Sequence, residues 1–165
     1  MKILKKSLLY DISNMAYVIA DTGENLNHTL HRVRDVCQDG NIDRVARVLG
    51  LAYANVLSVL FPVLETPATN IDKENSAKVR DYEFNFRRDG NLCHGLTTER
   101  KLKIKETVHE YMVSLVLADW LGITLPAAAD VWKYKAEEAL ESLGILISRI
   151  LSSASGVFRR SMSPF

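Results

Sequence analysis

Tyr82-Glu83-Phe84-Asn85-Phe86 is the one clear strand signal in a chain that otherwise reads as helices. Its aromatic residues alternate with Glu83, Asn85 and Arg87, which puts three rings on one face of a pleat and polar groups on the other. A strand needs a hydrogen-bonding neighbour, and one or two strands alone are marginal in water. The sequence holds no second segment of comparable quality. The partner is therefore expected either in a neighbouring subunit or within the same chain, near Ile3 or Val157. The first option makes Tyr82, Phe84 and Phe86 a subunit interface and points toward assembly rather than catalysis.

The rest of the pattern predicts a mainly α protein: a helical bundle with a long C-terminal αα-hairpin, one short strand or arm, and an extended tail. At 165 residues the chain suits a single domain over 1–165, able to bury about two-thirds of the surface its unfolded form exposes. Residues 7–21 form an amphipathic helix with Leu8, Ile12, Met15 and Ile19 on its buried stripe. Leu26, Leu30, Val33 and Cys37 define a short second helix closed by Asp39-Gly40, and a third runs from Asn41 or Ile42 to about Phe61, before Pro62. That third helix contains Val48–Leu64, which has no charged side chain. It is shorter than the ~20 residues a bilayer demands and carries Gly50, Asn55 and Ser58, so a fully buried central helix is expected and no membrane partner. Residues 65–96 then read as a loop-and-strand arm.

The C-terminal half is the most regular. Thr97 or Thr98 caps a helix whose Ile104, Val108, Tyr111, Leu115 and Ala118 share a face, and Gly122 is placed to end it. Thr124 is expected to cap the next helix, with Pro126 in the first turn and Ala128, Trp132, Ala136, Ala139, Leu143, Leu146 and Ile150 as its stripe. So short a link makes the two helices antiparallel. From Ser152 to Phe165 the periodicity stops. Phe158, Arg159, Arg160, Met162 and Phe165 are the residue types that anchor interfaces, which suggests a tail that docks on a partner.

Chemistry is sparse. Lys and Arg number 21 against 20 Asp and Glu, so no bulk field favours nucleic acid, an anionic membrane or an acidic substrate. Cys37 and Cys93 are far apart with no CxxC, which fits synthesis in a reducing compartment. Lys2, Lys5 and Lys6 imitate the start of an export signal, but Asp11, Ser13 and Asn14 interrupt its apolar core. His28, His31 and Cys37 lack further zinc ligands, Cys93-His94 are adjacent loop residues, and His109-Glu110 lacks a second histidine. The glycines match no phosphate-binding pattern, and Arg32, Arg34, Arg44 and Arg47 interleave with Asp35, Asp39 and Asp43 as solvated ion pairs do. The expectation is no enzyme, with no catalytic residue, cofactor or metal.

The strand 82–86, followed by Val108-His109-Glu110-Tyr111-Met112-Val113 and by Leu117-Ala118-Asp119-Trp120-Leu121-Gly122-Ile123-Thr124, resembles a group of small structural proteins of tailed bacteriophages. In that group a strand precedes a helix ending in an acidic-aromatic pair, an Ile-Thr link, an alanine-rich second helix and a basic tail. The resemblance covers about residues 80–165. It implies a head-to-tail connector or neck adaptor: a virion protein made in the host cytoplasm and assembled as a portal-matched homo-oligomeric ring. Its partners would be the portal and other neck or tail proteins, with nucleic acid met only by passage through the ring lumen. The alternative is a non-viral helical bundle that serves as a protein-interaction or regulatory module.

Overall fold

A computed structural model describes residues 1–22, 32–65, 81–88 and 95–160, with 154–160 as backbone only. In chain order the elements are β1 (Lys2–Ile3), α1 (Lys5–Thr22), a short helical stretch ending in the 3₁₀ turn Asp35–Cys37, and α2 (Ile42–Leu60) with its 3₁₀ extension Phe61–Val63. There follow β2 (Tyr82–Glu83), α3 (Thr98–Thr124) and α4 (Pro126–Arg160). The protein is a helical bundle with a long C-terminal αα-hairpin and a two-stranded sheet.

The central helix is α3. It begins at Thr97, whose hydroxyl accepts from the Arg100 amide at 3.3 Å. From Tyr111 to Leu121 it is buried nearly all round, at Tyr111, Met112, Val113, Ser114, Val116, Leu117, Trp120 and Leu121, because α1, α2 and α4 all pack on it. Leu115 and Ala118, expected on the buried face, are only half-buried. The helix also passes through Gly122 and stops at Thr124. Space around Gly122 is open, and the Thr124 hydroxyl donates to the Trp120 carbonyl at 3.0 Å instead of capping the next helix. Leu125 alone joins the pair, and α4 starts on Pro126.

On α4 the buried stripe is Trp132, Ala136, Leu143, Ile147 and Ile150, with Ile147 taking the place expected for half-buried Leu146. The Trp132 indole lies under the Lys135 ammonium, 4.2 Å from the ring centre. Helical backbone continues past Ser152, where an extended tail was expected, to Arg160. Ser148, Ser152 and Ser153 hydroxyls donate to the carbonyls of Gly144, Ser148 and Arg149 at 2.8–3.0 Å, so these serines bond back within the turn and the helix accommodates them.

α2 departs from the expectation of a fully buried helix. It buries Val45, Val48, Leu49, Ala52, Val56 and Leu60 and turns its other side outward. Ile42–Val63 is long and apolar enough to cross a membrane, with mean hydropathy 1.6 over its best window, and only one-third of that window is buried in the protein. Arg44 ties α2 to α3 through a two-pronged ion pair with Asp119, at 2.8 and 3.1 Å. Further along, the Asn55 amide donates to the Tyr111 hydroxyl at 2.9 Å.

α1 places Leu8, Ile12, Ala16 and Ala20 on the core, a strict four-residue repeat. Met15 is 41% exposed and Ile19 half-buried, because the small side chains of Ala16 and Ala20 let the helix lie closer on that side. His109 and Asp11 link α3 to α1, Nε2 to carboxylate oxygen, at 2.7 Å. Val33 and Val36 fill the gap between α1 and α2, and the Trp120 indole N–H donates to the Val33 carbonyl at 3.0 Å. Cys37, expected on the buried stripe, is half-buried, and burial pushes its thiol pKa up. Leu26, Leu30, His28 and His31 lie outside the described residues.

Candidate interaction surfaces

The aromatic strand finds its partners within its own chain. β1 and β2 pair antiparallel, Lys2 opposite Glu83 and Ile3 opposite Tyr82. The Phe84 amide donates to the Met1 carbonyl at 2.8 Å, and the Met1 nitrogen donates back to the Phe84 carbonyl at 2.6 Å. One residue later the strand changes neighbour: Glu65 N–H donates to Asn85 O at 2.8 Å, Arg87 N–H donates to Val63 O at 3.0 Å, and Leu64 sits opposite Phe86. The segment therefore binds residues 1–3 to residues 63–65. Tyr82, Phe84 and Phe86, expected as a subunit interface if the strand lacked a partner in its own chain, belong to a strand paired on both sides within the chain.

The three rings differ in their surroundings. Phe84 is in the core at 1% exposure, edge-on to Tyr53 with centroids 5.2 Å apart. Tyr82 is half-buried, 5.1 Å from the same ring, and burial, with a smaller contribution from Tyr53, pushes its pKa up to about 12. Phe86 is half-buried opposite Leu64. The Tyr53 hydroxyl donates to the Glu83 carbonyl at 2.9 Å, which fixes the strand to α2. Asp81, just before the strand, accepts from the Lys5 amide at 3.0 Å and meets the Lys2 ammonium at 2.9 Å. It thereby caps α1 from outside that helix, and the Lys2 bond, followed by the Lys5 amide, holds its carboxyl below the ordinary range.

Of the tail residues, Phe158, Arg159 and Arg160 stand on the helical backbone of α4, and Met162 and Phe165 lie outside the described residues. Cys93-His94 also lies outside them. Among the described residues no three His, Cys, Asp or Glu side chains cluster as metal ligands. His109 and Asp11 form a histidine–carboxylate pair, the His side chain one-quarter exposed, and no described hydroxyl or thiol hydrogen-bonds to either. What the geometry gives it is a tether between two helices. Arg34 pairs with Asp21 at 2.9 Å and lies over the Tyr17 ring at 4.6 Å, so it and Arg44 take their ion-pair partners from distant segments, not from Asp35, Asp39 or Asp43.

Two surfaces were not singled out by sequence reasoning. The first is the outward strip of α2, where Gly50, Leu51, Ala54, Asn55, Ser58, Phe61 and Pro62 are all exposed and none is charged. Leu51 is 56% and Phe61 59% exposed. From Gly50 to Pro62 the exposed positions recur every three or four residues and make one stripe about 18 Å long. Its signal was present in the charge-free run, since a helix packed on one side only normally marks its solvent side with charge.

The second is a groove of about 580 Å³ between strand residues 84–88 and the first two turns of α3. Phe86, Leu96 and Leu102 supply apolar lining; among the described residues five cations surround it (Lys2, Arg87, Arg88, Lys101 and Lys105), and Glu65 is its one carboxylate. Arg87 donates to the Leu64 carbonyl at 2.7 Å and Lys2 is held by Asp81, whereas Arg88, Lys101 and Lys105 carry no ion pair to a described residue. Only the i, i+4 spacing of Lys101 and Lys105 is visible in the sequence.

Comparison with protein-family models, with curated proteins and with solved structures finds no match to this chain.

Proposed function

We propose that this protein is a non-catalytic assembly subunit, a head-to-tail connector of a tailed-phage particle, whose α2 strip is covered by a neighbouring copy. The observation that carries the reading is the strip: about three turns of uncharged helix surface with Leu51 and Phe61 more than half exposed. Such a surface is costly in water, and small residues at Gly50, Ala54 and Ser58 let another helix approach closely. The resemblance of residues 80–165 to the connector group supplies the setting. A surface on one side of α2 that meets a different surface of the next copy generates a ring when the rotation closes.

The test is the mass of the purified full chain in solution, with negative-stain images of any large species. Replacing Leu51 and Phe61 together with Lys leaves the core untouched, so the variant is expected to keep its helical fold as a monomer and to lose assembly, together with whatever stability assembly adds. Assembly unchanged in that variant contradicts the assignment of the strip.

A further inference from the structure

We propose that the groove between strand residues 84–88 and the start of α3 receives an extended, acidic segment of another protein, added as a strand beside Phe86. This goes beyond the assembly reading, since it concerns a different surface and a different kind of partner.

Along a strand, successive residues direct their main-chain N–H and C=O to alternate sides. Phe84 directs its pair toward Met1, and Asn85 O and Arg87 N–H are taken by residues 65 and 63. Phe86 therefore directs its N–H and C=O to the same side as Phe84, one step beyond Met1, where no described residue pairs with them. An extended segment laid there, antiparallel to 86–88 and in line with β1, would continue the sheet.

Charge states what chemistry that segment should carry. Arg88, Lys101 and Lys105 have no ion pair to a described residue, and Glu65 is the one acid among the described residues lining the groove. Apolar lining from Phe86, Leu96 and 55%-exposed Leu102 favours side chains that alternate between acidic and aliphatic, the period of a strand. A nucleic-acid backbone would satisfy the cations but would leave unused the apolar lining and the main-chain pair of Phe86 that no described residue takes.

The experiment uses the full chain with a fluorescein-labelled short peptide of alternating Glu and Val, read by anisotropy. A Lys and Val peptide of equal length and labelled oligothymidylate serve as comparisons. The acidic peptide is expected to bind saturably and to weaken with salt. It should lose about tenfold or more in affinity in the double variant Lys101→Glu, Lys105→Glu. The Phe86 amide should exchange with solvent more slowly when the peptide is bound. Arg88→Glu, on a separate segment, is expected to weaken binding in the same direction. Equal binding to the double variant, equal binding of the basic peptide, or oligothymidylate binding in place of the acidic peptide overturns the proposal. So does a groove whose charge reversals alter only self-association. Mass is measured in parallel, so a monomer that binds the peptide refutes the ring alone, and a ring that ignores the peptide refutes the groove alone.

Discussion

Phe84→Ala separates a strand that holds the subunit together from one that joins subunits. The side chain is fully enclosed, edge-on to Tyr53, on a residue whose backbone is bonded to Met1 in both directions. Truncating such a residue removes its burial and leaves a cavity, which costs about 3–5 kcal/mol. Domains of this size hold roughly 5–15 kcal/mol in total, so the variant should still fold at room temperature. With a shift of roughly 2–4 °C per kcal/mol, the midpoint should fall by about 6–20 °C. Thermal unfolding followed by circular dichroism, checked by urea midpoints, reads this directly. Phe86→Ala, at a half-buried site, should cost less. An unchanged midpoint with assembly lost would refute the reasoning and restore the strand as a subunit boundary.

Glycine substitutions give opposite signs at two positions. A Cβ at Gly144 meets open space inside α4, so Gly144→Ala should stabilise by about 0.5–1 kcal/mol, whereas at Gly95 it would stand 3.0 Å from the Ile150 carbonyl oxygen, and Gly95→Ala should destabilise by about 1–3 kcal/mol; urea denaturation measures both. Asp81 has its folded pKa depressed, so its contribution is present above its unfolded pKa of about 3.9 and is lost as pH falls through the folded value. Asp81→Asn should flatten the acid side of the stability profile, and an unaltered slope contradicts the helix-capping role. For Tyr82 the direction is reversed: its raised folded pKa contributes stability below about pH 10 that is lost as pH rises toward 12, and Tyr82→Phe should shallow that alkaline loss.

The hairpin was legible because α4 keeps a clean helical period from Trp132 to Ile150 and because Pro126 marks a start. Its details were not. Gly122 reads as a stop only where the backbone needs its freedom, and here helix continues through it. On α1 the larger Met15 and Ile19 drew the stripe one position away from Ala16 and Ala20, whose smallness is what suits the contact. β1 is two residues long, too short for any periodicity, so the partner of the aromatic strand had no pattern of its own beyond proximity to Ile3. The orientation of α2 was hidden for the opposite reason: without charges on either side, nothing in the run distinguishes the face against α3 from the face in water. The groove draws its cations from three segments far apart in sequence, a juxtaposition that only the fold creates.

The central claim is that the uncharged strip of α2 is buried between copies. Sedimentation equilibrium of the full chain across a concentration series, alongside the Leu51→Lys, Phe61→Lys variant, tests it most directly. The account predicts a closed multiple of the 18.6 kDa subunit for the native chain and a folded monomer for the variant. A native chain that stays monomeric at every concentration, or a variant that assembles as the native chain does, would contradict it.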